Sequence, residues 1–286
     1  MTTEATGRTR RIRDIDGATM RRLLFHEAQV HALPGRELRD LGDAILVTDP
    51  AELDPFFNRL EGLRWPSDAD AFDRRLTEAL VLFASLGRRP HIWATPIGDE
   101  PDDLVERLEA NGFRDMGKGD LMVLADAGPA LGTVAEPLPA GVDVRRVSGL
   151  TGAAASNAVT DVVDVLLDAF EMGEALRDTL AVETAASVPD ARFTTYLARV
   201  DGRPAAVAKR ATFDGASYLS SIGTATWARR RGLGALLTRL ATADAVAAGS
   251  EWTYLGVFAE NVGAVAVYRQ AGFVRVGRSC PDLILD

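Results

Sequence analysis

Of the 32 basic residues in this 286-residue chain only Lys118 and Lys209 are lysines, and only one residue, Cys280, is a cysteine. A single thiol cannot close a disulfide within the chain, so burial and hydrogen bonding must hold the fold. An arginine-heavy basic complement is what a GC-rich bacterial genome encodes. The three histidines, His26, His31 and His91, are too dispersed for metal-ligand spacing, and no metal is expected. No apolar run approaches the roughly 18 residues that cross a bilayer, and the first turns of sequence carry charges where a secretory signal needs an apolar core. A cytoplasmic protein without a membrane partner is expected. Excess positive charge is missing too: 41 acidic residues against 32 basic give a net charge of -9, a field that repels polyanions. Nucleic acid is not an expected partner, and any phosphate ligand needs a local basic site.

What is present is ample apolar material, 47% of residues, enough for two cores. The expected organisation is a tail at 1–15, a domain at 16–130, a linker at 131–140 and a domain at 141–286. The linker sits in Ala125–Gly141, rich in Gly, Pro and Ala and without periodicity. Beyond it, Val142–Val147 reads as a strand, and Ala155–Phe170 and Glu174–Ser187 carry helical spacing. Three strand-like runs, Thr194–Val200, Pro204–Thr212 and Ser217–Thr224, are separated by Asp201-Gly202 and Asp214-Gly215, two hairpin signals. A loop over Ala228–Gly234 then feeds an amphipathic helix, followed by a strand at Trp252–Phe258, a helix at Asn261–Ala271, and short strands at Phe273–Val276 and Leu283–Leu285. An internal repeat links Gly112-Phe113 to Gly272-Phe273, 160 residues on. The same offset lays His91–Thr95, Pro101–Asn111 and Ala71–Ser85 on later elements.

Two segments carry chemistry. Arg229-Arg230-Arg231-Gly232-Leu233-Gly234-Ala235 lies between a strand and a helix. Unpaired N–H groups at a helix start, the positive end of its dipole, close approach through glycine and flanking arginines together make a pyrophosphate cradle. It lacks the third glycine of a dinucleotide fingerprint and the Gly-Lys-Ser/Thr of a P-loop, and an ordinary turn with solvated arginines remains open. Asn261 and Tyr268 stand seven residues apart, which on one helix is two turns and one face. A phenol there can reach a reacting group, or it can simply pack.

These residues resemble the GCN5-related N-acetyltransferases. The resemblance rests on a strand ending Ile222-Gly223-Thr224, the Arg-x-x-Gly-x-Gly loop at Arg229, Gly232 and Gly234, then Asn261, Ala264, Tyr268 and Gly272-Phe273, and it covers about 140–286. It implies an α/β (α+β) fold of two tandem acetyltransferase-like domains, each a mixed, mostly antiparallel sheet flanked by helices. It also implies acetyl-CoA as co-substrate and an amine acceptor. Backbone at Ile222, Gly223 and Thr224 would pair with pantetheine, while Arg229, Arg230, Arg231, Gly232, Leu233, Gly234, Ala235 and Asn261 would hold the cofactor. Tyr268 would protonate the departing thiolate. The chain departs from the pattern at Gly256, where many members place a Glu, and Ser220 and Ser221 are weak bases. If a base is needed, Glu171 and Glu174 of the first helical region could act through water, although solvated helix-turn carboxylates are the expected reading of both. The first half resembles a degraded copy: its loop, Ser67–Asp73, carries three carboxylates, and Phe72 replaces the glycine, so acetyl-CoA should bind only once per chain. A homodimer is compatible with this reading. The alternative to an N-acetyltransferase is an acyl-CoA-binding sensor or scaffold without turnover.

Overall fold

The computed structural model describes residues 15–33, 35–134 and 137–286. In chain order the first-half elements are α1 (Gly17–His31), β1 (Glu37–Asp40), β2 (Ile45–Thr48), β3 (Arg59–Glu61), α2 (Ala69–Leu86), β4 (His91–Trp93), α3 (Leu104–Ala110), β5 (Arg114–Leu124) and α4 (Gly128–Val134). The rest are β6 (Val142–Val147), α5 (Gly152–Ala169), α6 (Arg177–Ser187), β7 (Phe193–Val200), β8 (Arg203–Phe213), β9 (Ala216–Thr224), α7 (Leu233–Ala247), β10 (Trp252–Phe258), α8 (Val262–Gln270), β11 (Phe273–Arg275) and β12 (Cys280–Ile284). The run from β1 to β5 repeats the order of β7 to β11: three strands, a helix, a strand, a helix and a strand. The fold is therefore two tandem copies of one mixed, mostly antiparallel architecture. Among the described residues no helix is long and apolar enough to cross a membrane.

The chain divides into two compact units. The first comprises 15–121 with Val257–Val262 and Arg275–Asp286. β1, β2 and β3 pair antiparallel, β4 joins β3 in parallel, and β12 pairs antiparallel with both β4 and β5. Here the structure corrects the sequence division at 141: residues 275–286 belong with the first half, where Leu283 is fully buried in its core beside Ile92, Leu108 and Phe113. Backbone pairing over such a separation leaves no local pattern to read. The core forms because α2 presents Phe72, Leu76, Ala79 and Phe83, spaced at helical intervals, to one side. Full burial of such side chains is worth about 1.5–3 kcal/mol each. A charged cluster lies inside this apolar frame. Arg59, fully buried, donates to Glu27 at 2.6 Å and to Glu61 at 3.0 Å and stacks 4.2 Å from the Trp93 ring. One guanidinium cannot neutralise two carboxylates. Burial accordingly pushes the Glu61 carboxyl up to about 8, whereas Arg59 and His31 hold Glu27 below the usual range against its own burial.

The second unit comprises, among the described residues, Met122–Gly256 and Gly263–Val274. The 131–140 linker is corrected in part, because 131–134 finish α4; the remainder includes two residues outside the described set. Pro129 hides this helix from a compositional reading, yet proline is tolerated in a first turn. The expected tail also lies outside the described residues, apart from Ile15, which is buried. β6 to β9 form an antiparallel meander, and β10 adds to β9 in parallel. Both Asp-Gly turns have two consecutive positive φ angles, 51° and 83° at Asp201-Gly202 and 46° and 74° at Asp214-Gly215, as hairpin twist requires. Val147, Val162, Val165, Leu166, Leu197 and Val207 pack α5 onto one face of the meander.

Candidate functional site

The site is built where β9 stops pairing. The β9–β10 ladder runs from Ala216–Trp252 to Leu219–Leu255, and β9 continues through Ser220 to Thr224 beyond it. On its other side β9 carries a bulge: Lys209 faces Ser220 and Val207 faces Gly223, so Ser221 and Ile222 together oppose one residue of β8. Ser221 takes φ +49°, a strained angle for a side-chain-bearing residue, and a bulge turns backbone groups out of the ladder. The result is an open strand edge with a re-aimed backbone at Ser221–Ile222.

Past Thr224 the chain turns into α7. Asp168, near the end of α5, fixes this turn by accepting from the Thr226 N–H and, at 2.9 Å, from its hydroxyl. Arg230 and Gly232 both adopt positive φ, 64° and 76°, a local conformation that makes successive N–H groups converge. Gly232 is the N-cap of α7 and supplies no capping side chain. The N–H groups of Leu233, Gly234 and Ala235 therefore begin a 15-residue helix with no intrahelical acceptor and no cap. A Cβ on Gly234 would lie 3.5 Å from Thr224 Oγ1, which places the helix start against the end of β9.

The arginines divide in role. Arg229 donates to the Ala169 carbonyl at 2.9 Å and lies 3.5 Å from Glu171, so its guanidinium braces the end of α5. Arg230 and Arg231 are exposed, and the Arg231 guanidinium lies 5.9 Å from the Trp227 ring, which Arg203 approaches to 4.3 Å. Gly223 is glycine for packing: a Cβ would stand 2.9 Å from Ala169 Cβ and 3.2 Å from the Phe170 ring. Glu174 pairs with Arg177, so the two candidate base carboxylates, Glu171 and Glu174, sit in exposed ion pairs. Asn261 is corrected from first residue of α8 to the turn before it, its N–H donating to the Phe258 carbonyl at 3.0 Å. Tyr268, on α8, is buried, and burial pushes its phenol up to about 12. The space beside Gly256 is filled by Tyr218, whose phenol oxygen would be 3.6 Å from an added Cβ.

The corresponding helix of the first unit is closed. Asp68 caps α2 by accepting from the Ala71 N–H at 2.9 Å, and Phe72 is buried against Trp65 with ring centroids 5.6 Å apart. Cys280 is buried, and its thiol is pushed up to about 12, chiefly by burial, which removes nucleophilic thiolate at neutral pH. Among the described residues no group of three or more histidine, cysteine or carboxylate side chains could hold a metal ion.

Sequence-level reading missed Asp168, the Ser221 bulge and the setting of Lys209. A long-range hydrogen bond and a register shift have no local signature, but the scarcity of lysine was a usable signal for the third.

An open, bulged strand leading into an uncapped, glycine-led helix leaves backbone N–H groups without partners inside the helix beside a free strand edge, within a mixed α/β fold. Residues 160–273 match the model of the acetyltransferase (GNAT) family. A GCN5-related N-acetyltransferase from Kribbella flavida shares the fold with a TM-score of 0.66 and 22% identity, over 91% of this chain and 94% of that one. A tandem GNAT protein from the clavulanic acid biosynthesis pathway gives 0.60 and 15% over 90% and 86%. A GCN5-related N-acetyltransferase from Sphaerobacter thermophilus gives 0.57 and 16% over 97% and 93%. No curated protein matches the chain.

Proposed function

We propose that the second unit transfers the acetyl group of acetyl-CoA to an amine by direct attack, and that the first unit binds no acetyl-CoA. The observation that carries this reading is the uncapped start of α7 set against the free end of β9. Leu233, Gly234 and Ala235 would hold the diphosphate with their N–H groups, helped by Arg230 and Arg231, and Gly232 keeps the approach clear. Arg229 would act through its backbone, its side chain being engaged with Ala169 and Glu171. Ile222, Gly223 and Thr224 would pair their backbone with the pantetheine arm along the open edge. Bound acetyl-CoA supplies an activated acyl group and a thiolate leaving group. The bulge at Ser221–Ile222 would aim a backbone N–H at the developing oxyanion, and the site would contribute mostly by juxtaposing the reactants. Tyr268 keeps its proton throughout the physiological range and would hold it for the thiolate.

The rival is an acyl-CoA-binding sensor, favoured by Gly256 standing where a carboxylate base would be. Calorimetric titration with acetyl-CoA should return one site per chain, since Asp68 occupies the first-unit helix start. Thiol release should then appear with members of an amine panel. Binding without thiol release from any amine would favour the sensor, and two equivalent sites would refute the division of labour.

A further inference from the structure

Lys209 is one of two lysines in the chain and is half-buried on β8. It stands opposite Thr195 on β7 and Ser220 on β9, and cross-strand partners project to the same face, so the three form a polar row. Its ammonium points toward α6, with Nζ 3.4 Å from Thr184 Oγ1, and Glu183 is the opposite charge acting on it. Burial pushes this amine below the ordinary lysine range, with Glu183 opposing the shift, so its neutral, nucleophilic fraction is larger than that of a solvated lysine. The other lysine, Lys118, is exposed. All remaining basic positions are arginine, whose guanidinium stays protonated and is not acylated under these conditions.

The row has a definite relation to the cofactor path. The helix start at Gly234 meets the Thr224 end of β9, and the β9–β10 ladder closes at Leu219–Leu255. An arm laid from the cradle along the open edge would run toward Ser220–Ser221, and Ser220 is the cross-strand partner of Lys209.

We propose that Lys209 is a self-acetylation site of this protein. The inference rests on the acetyl-CoA reading above. In the step, neutral Nζ forms a bond to the acetyl carbonyl carbon, the carbon–sulfur bond breaks, and the nitrogen's surplus proton leaves with the thiolate as free thiol. The products are Nε-acetyl-lysine and CoA, with no other reactant. Acetylation replaces a partly desolvated ammonium by a neutral amide that keeps one N–H for Thr184, which lowers the desolvation penalty.

The experiment is incubation of the full chain with acetyl-CoA, intact-mass measurement, and peptide mapping of the acetyl group, with exposed Lys118 as the internal control for uncatalysed acylation. Lys209 should be labelled at least tenfold faster than Lys118. Gly234→Asp should abolish labelling of Lys209 and leave that of Lys118 unchanged, and Lys209→Arg should remove the label. Because mapping on the wild type locates the label, the test does not depend on that variant folding. A second readout needs no acetyl-CoA: in trace labelling with acetic anhydride across pH, Lys209 should titrate below the ordinary lysine range. Label on Lys118 or the N-terminal amine in preference to Lys209, or titration of Lys209 within or above the ordinary lysine range, would overturn the proposal. A ligand-induced rise in melting midpoint without label at Lys209 overturns this inference alone, whereas absence of that rise overturns the acetyl-CoA reading with it.

Discussion

Gly234→Asp separates binding from folding. Gly234 lies in the first turn of α7 without a positive φ, and a Cβ there meets only Thr224 Oγ1, at an ordinary contact distance of 3.5 Å. The backbone therefore accepts aspartate. Its carboxylate interacts favourably with the helix dipole, by about 0.3–1 kcal/mol, so the apo protein should melt within a few degrees of wild type. Toward a diphosphate the same charge is repulsive: at about 4 Å and an effective dielectric of 20, two unit charges interact by about 4 kcal/mol, close to a 1000-fold loss of affinity. The assay is a thermal melt with and without acetyl-CoA. A ligand at about 100 times its dissociation constant adds about 2.7 kcal/mol to the native state, which raises the wild-type midpoint by roughly 5–10 °C. Gly234→Ala adds the Cβ without the charge and should keep most of that rise. The Asp variant should show none. If it retains the full rise, the start of α7 is an ordinary turn and the cradle assignment fails.

Tyr268→Phe keeps the buried ring and removes the proton donor, so thiol release should fall at least tenfold with acetyl-CoA affinity nearly unchanged; equal turnover would make Tyr268 a packing residue. Glu61→Gln removes a carboxyl that the fold holds protonated up to about pH 8 against an ordinary value near 4.5. A raised folded-state value means stability is fully present at low pH and declines as pH rises through that window, so the variant should flatten this decline between about pH 4.5 and 8 in melts across pH. An unchanged slope would show that Glu61 is ionised in the fold.

Local chemistry made the second unit legible. The strand-like runs of β7 to β9, the two Asp-Gly turns and the apolar face of α7 each express a propensity that tertiary structure does not have to override. The glycine-led start of α7 was legible for the same reason, since the need for glycine at a left-handed helix start is local. What was hidden depends on partners far away in sequence. Ser221 reads as an ordinary strand residue, and only the mismatch between Lys209–Ser220 and Val207–Gly223 reveals the bulge. β12 reads as a strand of the second half because nothing near Leu283 names His91, Ile92 and Trp93 as its partners. Arg59 reads as a surface charge until Glu27, Glu61 and Trp93 surround it.

The two helix starts differ in what meets their free N–H groups, although the fold around them repeats. Four N–H groups at any helix start lack partners within the helix, and a side-chain cap stabilises that end by about 1 kcal/mol. In α2 the Asp68 carboxylate takes this role, and the same negative charge turns away any anion. In α7 Gly232 holds a left-handed angle with no side chain to offer, and two exposed arginines stand beside it. That end forgoes the cap and leaves its donors for something from outside. Stability and anion binding thus compete for the same few N–H groups, and one residue decides between them. The first unit has taken the stabilising choice, and Phe72, buried under Trp65 at the position where the second unit has glycine, has made it difficult to reverse.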